Sequence, residues 1–163
     1  MDRVIKTKEA IKISKKLRDR KKSIVLVGGC FDILHIGHVK FLENARKLGD
    51  VLLVLLESDE SVSRLKGKDR PINNQIERAQ VLSSLSIVGY VVLLPQMKTD
   101  RDYDKLITQI KPDFIGATQD DPNISHKIRQ AKMIDAKVKI VTKRIESKST
   151  TKLARLISKE NIL

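Results

Sequence analysis

The chain has a single cysteine, Cys30, and no tryptophan; two tyrosines and three phenylalanines are its whole aromatic complement. One cysteine cannot close an internal disulfide, which points to a reducing compartment such as the cytoplasm. So few aromatics leave too little ring surface to stack the bases of a nucleic-acid single strand. Long apolar runs are missing too. The longest stretch without a charge, residues 79–97, is broken by Gln80, three serines, Gly89 and Pro95. A membrane-spanning helix wants about 20 mostly apolar residues, so none is expected. The first residues alternate lysine with isoleucine and lack the apolar core of a secretory signal, so none is expected there. Internal repeats and low-complexity linkers are also absent.

What remains is a globular composition: 163 residues, 40% hydrophobic, enough for one domain with a sizeable core. Residues 1–163 are read as a single domain, with a basic leading helix at 1–22 and a core at 23–157. Lys and Arg number 33 against 20 acids, a formal charge of +13. The excess sits at the ends: residues 1–22 hold ten bases and three acids, residues 126–159 eleven and two. The body between them is slightly acidic. Basic ends are either the footprint of a phosphate-rich ligand or two solvated helix faces. No nucleic-acid-binding motif accompanies them, so nucleic acid is not an expected partner.

Along the chain, Ile5, Ala10, Ile13 and Leu17 recur at helical spacing and predict an amphipathic helix over 3–20. Apolar runs at 23–29, 51–56, 89–94, 113–117 and 138–141 predict five strands. Between and after them, 38–48, 75–86, 102–110, 124–134 and 150–158 read as helices, and 57–74 as a polar segment. Strands that lack polar alternation and are separated by helices form a parallel sheet covered on both faces. The expected fold is therefore α/β: a doubly wound, mostly parallel five-stranded sheet, Rossmann-like, with its ligand beyond the C-terminal strand ends.

The most informative stretch is Gly28-Gly-Cys-Phe-Asp-Ile-Leu-His-Ile-Gly-His38, which begins where the first strand stops and ends in a helix. Gly28 and Gly29 let backbone approach a ligand closely, and the helix N-terminus adds partial positive charge suited to phosphates. The run is neither a Walker A loop nor a dinucleotide G-x-G-x-x-G. His35 and His38, three apart at the helix start, can present both rings on one side, where an imidazole donates to phosphate oxygens. A metal reading lacks ligands, since only His126 and Cys30 offer soft candidates at unhelpful spacing. On residue types alone, two helix-capping or surface histidines remain an alternative.

Gly-Cys-Phe-Asp-x-x-His-x-Gly-His resembles the signature of the cytidylyltransferase-like nucleotidyltransferases. Three further runs match in order: Ser58-Asp-Glu-Ser-Val-Ser-Arg-Leu-Lys-Gly67; Arg70-Pro-Ile-Asn73 with Glu77-Arg78; and Ser149-Thr-Thr-Lys152. Within the superfamily the likeness is greatest to the adenylyltransferase domain of bacterial ADP-heptose synthesis proteins, in lipopolysaccharide core biosynthesis. The resemblance implies an enzyme that joins AMP, or CMP, from ATP or CTP to a phosphorylated small-molecule acceptor such as heptose 1-phosphate. Pyrophosphate leaves, and Mg²⁺ rides on the nucleotide phosphates.

By the same resemblance, His35, His38 and Lys40 would be catalytic. Gly28, Gly29, Cys30, Phe31, Arg78, Ser149, Thr150 and Thr151 would bind nucleotide, with Asp32, Arg70 and Asp120 toward the acceptor. Asp32 also has the chemistry to shape its loop by Asx-type hydrogen bonds, Lys40 and Arg78 to be surface residues, and Asp120 and Asp121 to cap a turn. A homodimer is a further implication. Ser86 stands where glycerol-phosphate cytidylyltransferases carry arginine, which argues against that acceptor. An FAD synthase, a glycerol-3-phosphate cytidylyltransferase and a non-catalytic nucleotide- or nucleic-acid-binding module are the alternatives.

Overall fold

Strand β2 (Ile24–Gly29) and strand β3 (Val51–Leu56) are apolar on both faces because both faces are covered. Ile24 and Leu26 pack into one cluster with Leu53 and Leu55, while Val25 and Val27 pack into another with Leu52, Val54 and Leu56. The computed structural model describes residues 3–143 and Leu153. Over that span six strands run β1 (Val4–Lys6), β2, β3, β4 (Tyr90–Leu93), β5 (Phe114–Thr118) and β6 (Lys137–Thr142). They form one sheet in the order β1-β4-β3-β2-β5-β6 with every pairing parallel.

Helices α1 (Thr7–Asp19), α5 (Asp100–Ile110) and α6 (Ile124–Met133) cover one face through Ala10, Leu106, Ile107, Ile110 and Ala131. Helices α2 (Ile36–Arg46) and α4 (Gln75–Ser84) cover the other through Phe41, Leu42, Ala45, Ala79 and Leu82. The α/β class and the two-sided cover therefore stand, while the strand count is corrected from five to six. The added strand, β1, is a three-residue edge piece paired with β4. Its Val4 and Ile5 merge in sequence with the periodicity of α1, which hid the strand. A second correction falls in the segment read as polar: Asp59–Lys66 is a helix, α3, with Ser58 accepting from the Ser61 amide at 3.2 Å as its N-cap. Only Ser61 and Val62 are buried along it, so it carries too weak an apolar stripe to show as a periodic pattern. The helix read over 150–158 lies outside the described residues, apart from Leu153.

Two strand neighbours decide where a ligand can go. From β2 the chain crosses to β3 on one side, and later returns as β5 on the other side of β2. This reversal opens a crevice beyond the C-terminal ends of β2 and β5, the place where doubly wound sheets bind ligands. Gly116 keeps β5 close to β2 there: a Cβ on it would stand 2.8 Å from Val27 Cγ1.

Candidate active site

The Gly28–His38 run occupies the β2 lip of that crevice. A Cβ on Gly29 would press the Phe31 ring at 3.0 Å, whereas one on Gly28 would meet nothing closer than Leu55 at 3.7 Å. Glycine at 29 thus answers to the fold. At 28 the fold makes no such demand, and the exposed backbone is open to an incoming group. Phe31 has a positive φ of 44°, a left-handed conformation that costs a side-chain-bearing residue on the order of 1 kcal/mol. Its ring is buried in the core, 5% exposed, so only its backbone is available to a ligand.

Past this turn the chain enters α2 at His35, whose extended backbone makes it the N-cap. Its Nδ1 accepts the Gly37 amide at 3.1 Å. An accepting Nδ1 leaves the proton of the neutral ring on Nε2, which is free to donate elsewhere. The His38 ring stacks on it, centroids 3.9 Å apart and planes 29° from parallel, and Phe31 closes the stack at 5.3 Å. The capping and functional readings of these histidines are thereby compatible, since one ring caps while the pair shares a face.

Burial lowers the pKa of both rings. For His38 it falls to about 4, through burial first, then the cost of protonating beside a second imidazole, His35, and the charge of Lys66, with the Ile33 backbone opposing. Nδ1 of His38 is buried without a hydrogen-bond partner. Both imidazoles are consequently neutral donors at pH 7, not cations. A stability prediction follows from the sign. An unfolded histidine takes up its proton near 6.5 and the folded His38 near 4. His38's contribution is therefore intact above about pH 6.5 and is lost as pH falls toward 4, by roughly 3 kcal/mol at most. Urea midpoints taken between pH 7 and 4.5 should show the unmodified protein losing stability relative to His38→Gln as pH falls. Parallel pH profiles would contradict the buried neutral ring.

Asp32 and Arg70 do not point outward. Asp32 is 2% exposed and gathers the loop before α4: it accepts Arg70 Nε at 2.5 Å, the Ile72 amide at 2.8 Å and the Asn73 amide at 3.2 Å. Arg70 Nη2 lies against the same carboxylate in a buried ion pair. The loop-shaping reading of Asp32 is what the geometry displays, and Arg70 is its partner.

Arg78, on α4, is neither on the surface nor facing open space. Its guanidinium is buried and donates to the Asn73 carbonyl (3.0 Å), the Cys30 carbonyl (2.5 Å), the Glu57 carbonyl (2.9 Å) and Asp59 Oδ1 (2.7 Å). One planar fork therefore ties together the ends of β2 and β3, the start of α3 and the loop entering α4. Lys40 is exposed on α2. Asp120 is exposed past β5, whereas Asp121 is turned to Lys127 Nζ at 2.6 Å and the Asn123 amide at 2.8 Å, capping the turn into α6. Cys30 is partly buried with its thiol pKa raised, chiefly by burial, which keeps it protonated and poorly nucleophilic. Ser149, Thr150 and Thr151 lie outside the described residues.

Two features went unread in the sequence. Lys66, at the end of α3, is close enough for its charge to lower the pKa of both His38 and Cys30; only the folding of 59–66 into a helix brings it that near. The other is Glu57, the first residue past β3. Both of its carboxylate oxygens accept from the Tyr103 hydroxyl, at 2.9 and 3.0 Å. Its own amide donates to the Gly29 carbonyl at 3.2 Å. Burial raises the pKa of this carboxyl, against Tyr103, Ser61, Arg64 and Arg78, which favour its charge. A charged residue directly after an apolar strand, on the ligand edge of a parallel sheet, was the available signal.

Comparison with known proteins adds the following. The family described as Cytidylyltransferase-like matches residues 26–159. "Bifunctional protein HldE" of Aliarcobacter butzleri is 45% identical over 141 residues, 82% of this chain and 29% of that protein. Its namesake in Nitratiruptor sp. is 55% identical over 103 residues, 63% of this chain and 21% of its own length. The chain thus spans under a third of these relatives. Among solved structures, a lipopolysaccharide core biosynthesis protein from Thermoplasma volcanium superposes with a TM-score of 0.61 at 27% identity, covering 76% of this chain and 97% of the other. A pantoate-β-alanine ligase from Francisella tularensis superposes over 99% of this chain with a TM-score of 0.65, at 15% identity, which speaks to the fold alone.

Proposed function

The chain belongs to the cytidylyltransferase-like family, and from that premise we propose that it transfers AMP, in preference to CMP, from a nucleoside triphosphate to the phosphate of a sugar such as heptose 1-phosphate. An acceptor phosphate oxygen attacks the α-phosphorus, the bond from that phosphorus to the bridging oxygen breaks, and pyrophosphate departs with the electron pair. No covalent intermediate on the protein is needed. Catalysis then rests on positioning and on stabilising negative charge as it builds.

The observation that carries this reading is the stacked, neutral His35–His38 pair at the α2 N-terminus on the β2 lip of the crevice. The Nε2 proton of His35, the helix-start amides and the exposed backbone of Gly28, with Gly29 beside it, make a cradle for the triphosphate. Lys66, Lys40 and the Ser149–Thr151 run are assigned the phosphates as well. Asp32, Arg70 and Arg78 are assigned a positioning role, holding the loops in register, and Asp120 the open side where the acceptor enters. Among the described residues no group of three or more His, Cys, Asp or Glu side chains is placed to hold a metal ion. Magnesium fits as an ion brought in on the triphosphate, where it neutralises phosphate charge.

Sugar phosphate is preferred as acceptor because the motifs resemble those of ADP-heptose synthesis proteins and the Aliarcobacter relative, a bifunctional protein HldE, matches over 82% of this chain. The test is a pyrophosphate-release assay with ATP or CTP, Mg²⁺ and a panel holding heptose 1-phosphate, glycerol 3-phosphate, flavin mononucleotide and phosphopantetheine. Turnover is expected with ATP and heptose 1-phosphate. Release with another acceptor alone would reassign the substrate; release with none, alongside tight and salt-sensitive duplex binding, would replace the enzyme with a binding module.

A further inference from the structure

We propose that Glu57, braced by Tyr103 at the mouth of the site, reads the hydroxyl groups of a polyhydroxylated acceptor and so selects sugar phosphates over acceptors that lack them. The inference rests on the sugar-phosphate reading above and assigns it a specificity residue. Glu57 stands on the same lip as the histidine cradle: its amide binds the Gly29 carbonyl, and Arg78 grips the carbonyls of both Glu57 and Cys30. Its charge is felt at Cys30, and Cys30 in turn acts on Tyr103, so the three groups lie near one another. Glu57 is therefore a backbone neighbour of the turn assigned to the phosphates, with its carboxylate on the side of α5.

A carboxylate so placed cannot itself contact a phosphate, which it repels; Lys66 and the imidazoles serve that end. What an anionic acceptor group binds well is a neutral hydroxyl, or a cation. Its capacity is not exhausted. An ionised carboxylate has about four lone-pair positions, and the single Tyr103 proton is shared between the two oxygens at 2.9 and 3.0 Å, with Ser61 as a further hydrogen-bonding neighbour. Room is left for two hydroxyl donors, the number a vicinal diol offers. The brace matters as much as the charge. Tyr103 comes from α5 and holds the carboxylate by hydrogen bonds, while the charge of Arg64, on α3 and bonded to the Met97 carbonyl at 3.2 Å, favours its ionised form, so the group is held before any ligand arrives. A site that spends buried polar groups on substrate hydroxyls discriminates sharply against analogues lacking them.

The experiment is steady-state pyrophosphate release by the whole chain, comparing the unmodified protein, Glu57→Gln and Tyr103→Phe. With heptose 1-phosphate as the varied substrate, Glu57→Gln is expected to lower kcat/KM at least tenfold, mainly through KM, while KM for ATP stays within twofold. Tyr103→Phe, which keeps the carboxylate and loosens it, is expected to raise the acceptor KM about threefold with ATP again unaffected. Should Glu57→Gln not fold, Tyr103→Phe decides by the same split. An unchanged acceptor KM, or a parallel rise for both substrates, overturns the assignment and leaves the sugar-phosphate reading standing. No turnover by the unmodified protein with any sugar phosphate overturns that reading, and this inference with it.

Discussion

His38→Ala is expected to lower the turnover number on the order of 100-fold or more, the cost of one preorganised donor facing charge that builds in a transition state. The ring is neutral at working pH, its pKa held down to about 4, so it contributes a directed N–H and not a net charge. Stacking against His35 at 3.9 Å and closure by Phe31 fix that ring before the nucleotide binds, and a donor that need not reorganise is worth most. Pyrophosphate-release rates under saturating ATP and acceptor give the comparison. The ATP KM should move far less than kcat, because the charge this donor meets is greatest on the departing pyrophosphate. His35→Ala should match the kinetic loss and add a stability loss of about 1 kcal/mol, since Nδ1 is also the α2 cap. A turnover number within threefold of the unmodified protein's for His38→Ala would remove the pair from catalysis.

The second large effect concerns a residue that touches no reacting atom. Arg78→Ala is expected to destabilise the fold by about 3–5 kcal/mol, the cost of breaking a buried charge network from one side. Three carbonyls, of Cys30, Glu57 and Asn73, lose a charged donor at once, and Asp59 loses its partner. In a domain of this size about 1 kcal/mol moves the melting temperature 2–4 °C, so a fall of roughly 10 °C is the expected reading. Arg78→Lys restores the charge without the planar fork and should recover less than half of the loss. Denaturation midpoints within 1 kcal/mol of the unmodified protein would show that the clamp is dispensable. The kinetic consequence is distinct from that of His38: the three loops that shape the site are tied through this one side chain, so both KM values and kcat should suffer together.

The parallel sheet was legible because burial on both faces leaves β2 and β3 without polar alternation, a pattern carried entirely within six-residue runs. The histidine motif was legible for a related reason: a strand end, two glycines and a helix start are local, and the spacing of His35 and His38 within one turn dictates that their rings meet. Edge strand β1 and helix α3 were missed because each is short and weakly buried, so each owes its existence to what it packs on.

Local sequence thus determined which segments are the five longer strands, where the glycine turn after β2 begins, and that two histidines stand at its far end. Tertiary structure alone decided the fate of the charges. Arg78, Arg70 and Asp32 look like ligand-facing groups in a string of letters, yet long-range pairing across 38 and 48 positions consumes them inside the protein. Conversely Lys66, Glu57 and Tyr103 gain their place near Cys30 only when α3 and α5 close over the strand ends. A side chain's reach is set by its neighbours in sequence, but its solvent and its partners are set by what the fold brings against it, and for an ionisable group those decide the chemistry.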